Sequence, residues 1–185
     1  MASAMTVLAY GGISYEDAYK NAGQYAHLQD AVKWGTDYLI KAHVSPNEFY
    51  CQVGNGDIDH AYPGRPETMT VNRPAYILNP SKPGSDCAGE SAASLASAAV
   101  LFADTDPAYS ATLIQHAKEL FSFADTYRGT YSSSIPDAAK FYKYIQLQNC
   151  LDINIYISCL VPNPMKMSSY GQLLGCTKQQ KTTHT

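Results

Sequence analysis

Apolar positions recur at helical spacing in four separate stretches of the chain. Over 27–43, Leu28, Val32, Gly35, Leu39 and Ala42 fall on one face, which predicts an amphipathic helix ended by Val44-Ser-Pro46. Residues 3–22 predict an earlier helix with Met5, Leu8, Ala9, Ile13 and Ala18 on its apolar side. The Gly11-Gly12 pair weakens that helix, at about 1 kcal/mol per glycine. A third helix runs through ESAASLASAAVLFA, with Ser85 or Asp86 to cap it and enough Ala and Ser to let a neighbour approach closely. The fourth starts at Asp106-Pro107, an N-cap aspartate and an N1 proline, and runs to about Tyr127. Arg128-Gly129 then supplies a C-terminal cation and a C′ glycine. The pattern is two helical hairpins, and the predicted fold class is all-α.

Between the hairpins, 50–90 has no helical periodicity and is dense in Gly, Pro, Asn and Asp. Ordering such a connection costs about 1–2 kcal/mol per residue, so compact domains seldom keep one without using it. A long loop on a helical scaffold is where a binding cleft is expected. The clearest strand-like run is QLQNCLDINIYISCLV, near the end of the chain.

Composition narrows the function classes. The 185 residues are 45% hydrophobic and 16% charged, with no apolar run long enough to span a membrane. A single domain of this size buries roughly 70% of its unfolded surface. The net charge of −3 gives no reason to expect nucleic acid or a membrane as partner. Fifteen Tyr stand against a single Trp, which suits either stacking on flat polar ligands or half-buried core positions. The five Cys, an odd number with no Cys-x-x-Cys, argue against a complete disulfide framework or a zinc site. The N-terminus lacks the basic and long apolar regions of a signal peptide.

Several segments carry a resemblance. DAVKWGTDYLIKAH, QVGNGDIDHAYPGRPETM, RPAYILNPSKPGSDCAGESAA and HAKELFSFADTYRGTYSSSIPDAAKFY together resemble glycoside hydrolase family 9, most of all its animal-type endo-β-1,4-glucanases. The resemblance runs from about Met5 to Tyr142. It implies a partial (α/α)6 barrel, in which loops at one end form an open groove for a β-1,4-glucan (cellulose) chain. The family's catalytic domains are much longer, so 1–143 reads as a fragment of one. The family is secreted, whereas this N-terminus carries no export signal.

The resemblance also implies site residues. His60 falls where the family places a groove histidine that bonds sugar hydroxyls; the alternative is a histidine that fixes loop geometry. Three residues later the family has a Trp on which a pyranose lies, but this chain has Pro63, which offers no such platform and no N–H. Tyr62 is a partial substitute. Tyr142 matches a groove tyrosine, with a core tyrosine as its alternative. Asp57 and Asp59 suit turn-forming roles better than metal binding, and Arg65, Glu67, Arg73 and Asp86 read as charges stapling the loop. No metal ligands and no cofactor are assigned.

Catalytic residues are not assigned either. Inverting hydrolysis uses two carboxyls about 6.5–9.5 Å apart. The family takes its base from an Asp-Ala-Gly-Asp motif, which these residues lack, and its acid from a Glu near the end of the domain. The chain is therefore expected to be inactive alone, with a non-catalytic glucan-binding or helical interaction fragment as the alternative reading. After Tyr142 the family pattern stops, and 144–185 reads as a poorly ordered, divergent tail, as from a passed splice boundary or shifted frame. An incomplete barrel leaves apolar helix faces unpaired, which predicts self-association.

Overall fold

A computed structural model describes residues 1–141 of the chain. Tyr142, the strand-like run and the predicted tail lie outside the described residues.

The four periodic segments are helices. They are α1 (Ala2–Ser14), α3 (Tyr25–Ala42), α5 (Ser85–Phe102) and α6 (Pro107–Thr126). The predicted helix over 3–22 is in fact two, because Tyr15 leaves helical geometry at φ −123° and ψ 34° and a short α2 (Glu16–Asn21) follows. The Gly11-Gly12 pair does not break α1. A Cβ at Gly12 would stand 2.4 Å from Leu28 Cδ2 and 2.9 Å from Leu101 Cδ1, so its bare backbone is what lets α1 seat against α3 and α5.

Helix α5 is the centre of the packing. Ala88, Ala92, Leu95, Ala99 and Phe102 are all buried, and α1 and α3 lie against it while α6 pairs with it as a hairpin. Its small side chains permit that closeness, and Leu28, Val32, Leu113, Leu120 and Phe123 fill the space between the helices. Burying each such side chain is worth about 1.5–3 kcal/mol. Buried hydroxyls tie the layers together: Ser110 Oγ donates to Ala99 O at 2.7 Å, and Thr6 Oγ1 to Glu90 Oε1 at 2.9 Å.

The helix ends refine the capping expectations. Asp106 does cap α6, its side chain accepting from Tyr109 N at 3.0 Å. At α5 the N-cap is Gly84, because Ser85 and Asp86 already lie in the first turn and are bonded elsewhere. Ser85 Oγ donates to Ala124 O at 2.9 Å and accepts from Gly129 N at 3.1 Å, locking the exit of α6 to the start of α5. Gly129 thus serves as a donor, and the positive-φ glycines among the described residues are Gly23 and Gly54.

The 50–90 segment holds structure that periodicity does not reveal. β1 (His43–Ser45), β2 (Glu48–Val53) and β3 (Ala75–Leu78) form an antiparallel sheet in the order β1-β2-β3. Phe49 and Leu78 are cross-strand partners and both are buried, so the sheet joins the helical core at that pair. A disulfide joins Cys51 of β2 to Cys87 of α5. The odd cysteine count gives no sign of this bridge. No described helix is long and apolar enough to cross a membrane.

Candidate functional site

Between β2 and β3 the chain turns through α4 (Gly56–Ala61) and a 3-10 turn (Pro66–Thr68). The turn into α4 needs Gly54, whose φ of +96° is open mainly to glycine and where a Cβ would meet Asp59 Oδ2 and Arg73 Nη2 within 3 Å. Asn55 caps the helix, Oδ1 accepting from Ile58 N at 3.1 Å.

Asp137 anchors this unit to the rest of the fold. Its carboxylate accepts from Gln52 Nε2 at 2.7 Å, from Asn55 Nδ2 at 3.1 Å and from Gly56 N at 2.8 Å. It therefore fixes both β2 and the start of α4 against the segment that follows α7 (Tyr131–Ser134). Lys140 reinforces this from the same segment by pairing with Asp57. Nothing in the sequence marks Asp137 except its place after Pro136, which reads as a simple turn.

His60 and Tyr62 stand together at the C-terminal end of α4, in its last turn and at its C-cap. His60 is exposed, and its ring stacks on that of Phe141 with centroids 4.8 Å apart and planes 12° from parallel. Tyr62 is half-buried, its hydroxyl 3.1 Å from Thr68 Oγ1 and its ring against the bare Cα of Gly64. Tyr142 follows Phe141 in the chain but lies outside the described residues.

The stapling charges are only partly as expected. Arg73 Nη1 donates to Asp59 Oδ1 at 3.0 Å and Nη2 to Val53 O at 3.4 Å, so this arginine does hold the loop. Arg65 and Glu67 are exposed and form no ion pair among the described residues. Among the described residues Asp86 pairs with no cation: its Oδ1 accepts from Tyr131 N at 2.8 Å and Cys87 N at 3.0 Å, while Oδ2 is buried with no hydrogen-bond partner there. Burial pushes its carboxyl above the ordinary value, and those N–H groups pull the other way.

A second polar cluster sits where α3 gives way to β1. The buried His43 meets His116 of α6, Nδ1 to Nδ1, at 2.8 Å. Glu119, one turn further along α6, places Oε2 4.0 Å from His43 Nε2. Burial first, and then the neighbouring His116, hold His43 below the usual imidazole value; the Glu119 carboxylate raises it. No local pattern marks this group, because His43 at the start of β1 and His116 on α6 are 73 residues apart.

Known proteins place the whole unit. The description of glycosyl hydrolase family 9 matches residues 1–152, running past Tyr142. Endoglucanase 7 of Oryza sativa subsp. japonica is 48% identical over 142 residues, which are 77% of this chain and 27% of that protein. Endoglucanase B of Cellulomonas fimi is 48% identical over 143 residues, 14% of its own length. Among solved structures, an endoglucanase from the termite Nasutitermes takasagoensis is similar at a TM-score of 0.81 and 47% identity, over 94% of this chain and 40% of that one. A cellulase, Cel9M of C. cellulolyticum in complex with cellobiose, shares the fold at a TM-score of 0.78. The chain thus spans about a quarter of the rice relative, and the helical hairpins are part of the larger barrel. With the family match covering most of its residues and endoglucanases nearly half identical across them, the chain belongs to glycosyl hydrolase family 9.

Proposed function

We propose that these residues supply one wall of the glucan-binding groove of an endo-β-1,4-glucanase and do not hydrolyse glucan by themselves. The observation that carries the reading is the His60–Tyr62 end of α4. It presents an exposed imidazole and a phenol side by side on a helix held by Asp137, Arg73 and the Cys51–Cys87 bridge. Phe141 stacks on one face of the exposed His60 ring and fixes its plane, and the nitrogens on the ring edge are the atoms that bond sugar hydroxyls. Pro63 offers no face to a pyranose, so ring stacking falls to Tyr62 and, on the family pattern, Tyr142.

The inactivity rests on missing chemistry. Inversion requires a general acid and a base that activates water. These residues contain no Asp-Ala-Gly-Asp motif, and the acidic side chains around α4 (Asp57, Asp59 and Asp137) are engaged with Lys140, Arg73 and backbone or amide donors. The disulfide fits an exported parent enzyme, since such bonds persist in oxidising compartments. Trp34 is 71% exposed and Val7 60%, on α3 and α1, and these faces would pair with the rest of a barrel or with a second copy.

Titration with cello-oligosaccharides, read by tyrosine fluorescence, tests the groove wall. A saturable change at millimolar sugar, reduced in His60→Ala, supports it; no change in the native chain removes it. Binding without hydrolysis also separates this reading from that of an active enzyme.

A further inference from the structure

The geometry points to His43, His116 and Glu119 as a binding site for a divalent transition-metal ion of the zinc class. The site is separate from the α4 surface, and joins the end of α3 to α6.

The ligand set is the first reason. One donor atom from each residue lies within 4.8 Å of the others. Two imidazoles and one carboxylate are a recurrent three-ligand set for zinc, with water completing the tetrahedron. His116 and Glu119 are three apart on α6, so they share one face of that helix and approach His43 from the same side. A closed tetrahedron at zinc bond lengths needs donor atoms about 3.3 Å apart. The His43–His116 pair, at 2.8 Å, is already slightly closer than that. Glu119 is partly exposed and, among the described residues, its Oε1 accepts only from the exposed Gln115 Nε2 at 3.2 Å, so its side chain can turn to close the remaining gap.

The second reason is an unmet valence. Two Nδ1 atoms in contact share one proton, so one ring donates and the other accepts. Whichever way the proton lies, His43 Nε2 is buried and has no hydrogen-bond partner among the described residues. Buried polar atoms left in that state cost about 1–3 kcal/mol and call for an explanation. An ion held by both Nδ1 atoms would leave the His43 proton on Nε2, where it faces the Glu119 carboxylate 4.0 Å away. Such is the arrangement of a metal-binding histidine whose other nitrogen is oriented by a second group. An ion there would clamp α6 to the α3–β1 junction, and its role would be structural.

The test uses the full chain and Co2+ as a spectroscopic substitute for Zn2+. One equivalent should give a visible d–d band without the near-ultraviolet charge transfer of thiolate coordination, and Zn2+ should displace it and raise the melting temperature. His116→Gln and Glu119→Gln each alter a partly exposed side chain, and circular dichroism checks that both fold. Each should weaken binding by roughly 10-fold or more. His27→Gln, on an exposed part of α3, should leave it unchanged. Absence of a band at millimolar Co2+, a thiolate-type spectrum, or a band that survives both His116→Gln and Glu119→Gln overturns the assignment.

Discussion

The ring of Phe141 lies against that of His60, centroids 4.8 Å apart and nearly parallel, so the histidine at the end of α4 is held by a residue from the far end of the described chain. Contacts of this kind are worth about 0.5–1.5 kcal/mol beyond area burial. Phe141→Ala should therefore weaken cello-oligosaccharide binding by roughly 2–10-fold, as His60 loses its fixed orientation. Phe141→Tyr, which keeps the stack, should bind like the parent. Equal affinities in all three chains, measured by fluorescence titration, would mean that the stack plays no part in recognition.

Asp137 makes a separate prediction about stability. Three donors converge on its carboxylate, and hydrogen bonds to a charged group are worth about 1.5–3 kcal/mol each where well formed. Asp137→Ala should cost roughly 2–4 kcal/mol, seen as a lower denaturant midpoint. Asp137→Asn should be nearly as damaging, since its amide turns a donor toward groups that are themselves donors. A loss confined to the alanine variant would refute this account of the hub.

Cys51 and Cys87 close a loop with a sequence separation of 36. On the chain-entropy argument a loop of that length adds roughly 3–4 kcal/mol. Reduction, or the Cys51→Ser/Cys87→Ser double variant, should lower the melting temperature by several degrees and loosen β2 from α5 first. Hydrogen exchange in β2 that is indifferent to reductant would count against the bridge.

The Asp86 carboxyl, raised by burial, sets a pH dependence of definite sign. Between the ordinary carboxyl value of about 3.9 and the raised one, the folded chain keeps a proton that the unfolded chain has released. Stability contributed by this group is fully present below the ordinary value and falls as pH rises through the raised one. Asp86→Asn retains the Oδ1 acceptor for Tyr131 and Cys87 but cannot ionise. Its urea midpoint should lack that part of the slope. Parallel slopes in the two chains would assign the effect to other groups.

The helices were legible because their signals are local. A 3.6-residue period and the Asp106-Pro107 start together place α3, α5 and α6 to within a few residues. The small sheet was not, since EFYCQV and AYIL are short, sit among turn residues, and are defined by pairing Phe49 with Leu78 across the intervening loop. The same reason hides the Cys51–Cys87 bond, the Asp137 hub and the His43–His116 pair: each joins residues far apart in sequence that carry no local mark. His60 and Tyr62 came from motif resemblance, and the structure adds what holds them in place. It also separates the four supposed staples, leaving Arg73 to clamp Asp59 while Arg65 and Glu67 stay in solvent and Asp86 turns inward.

The central claim is that these residues hold a glucan-binding surface without the acid and base of hydrolysis. Release of reducing ends from a soluble cellulose derivative by the 185-residue chain tests it most directly. The account predicts no release above the uncatalysed background, while cello-oligosaccharides still bind. Sustained turnover that purifies with the chain would contradict it.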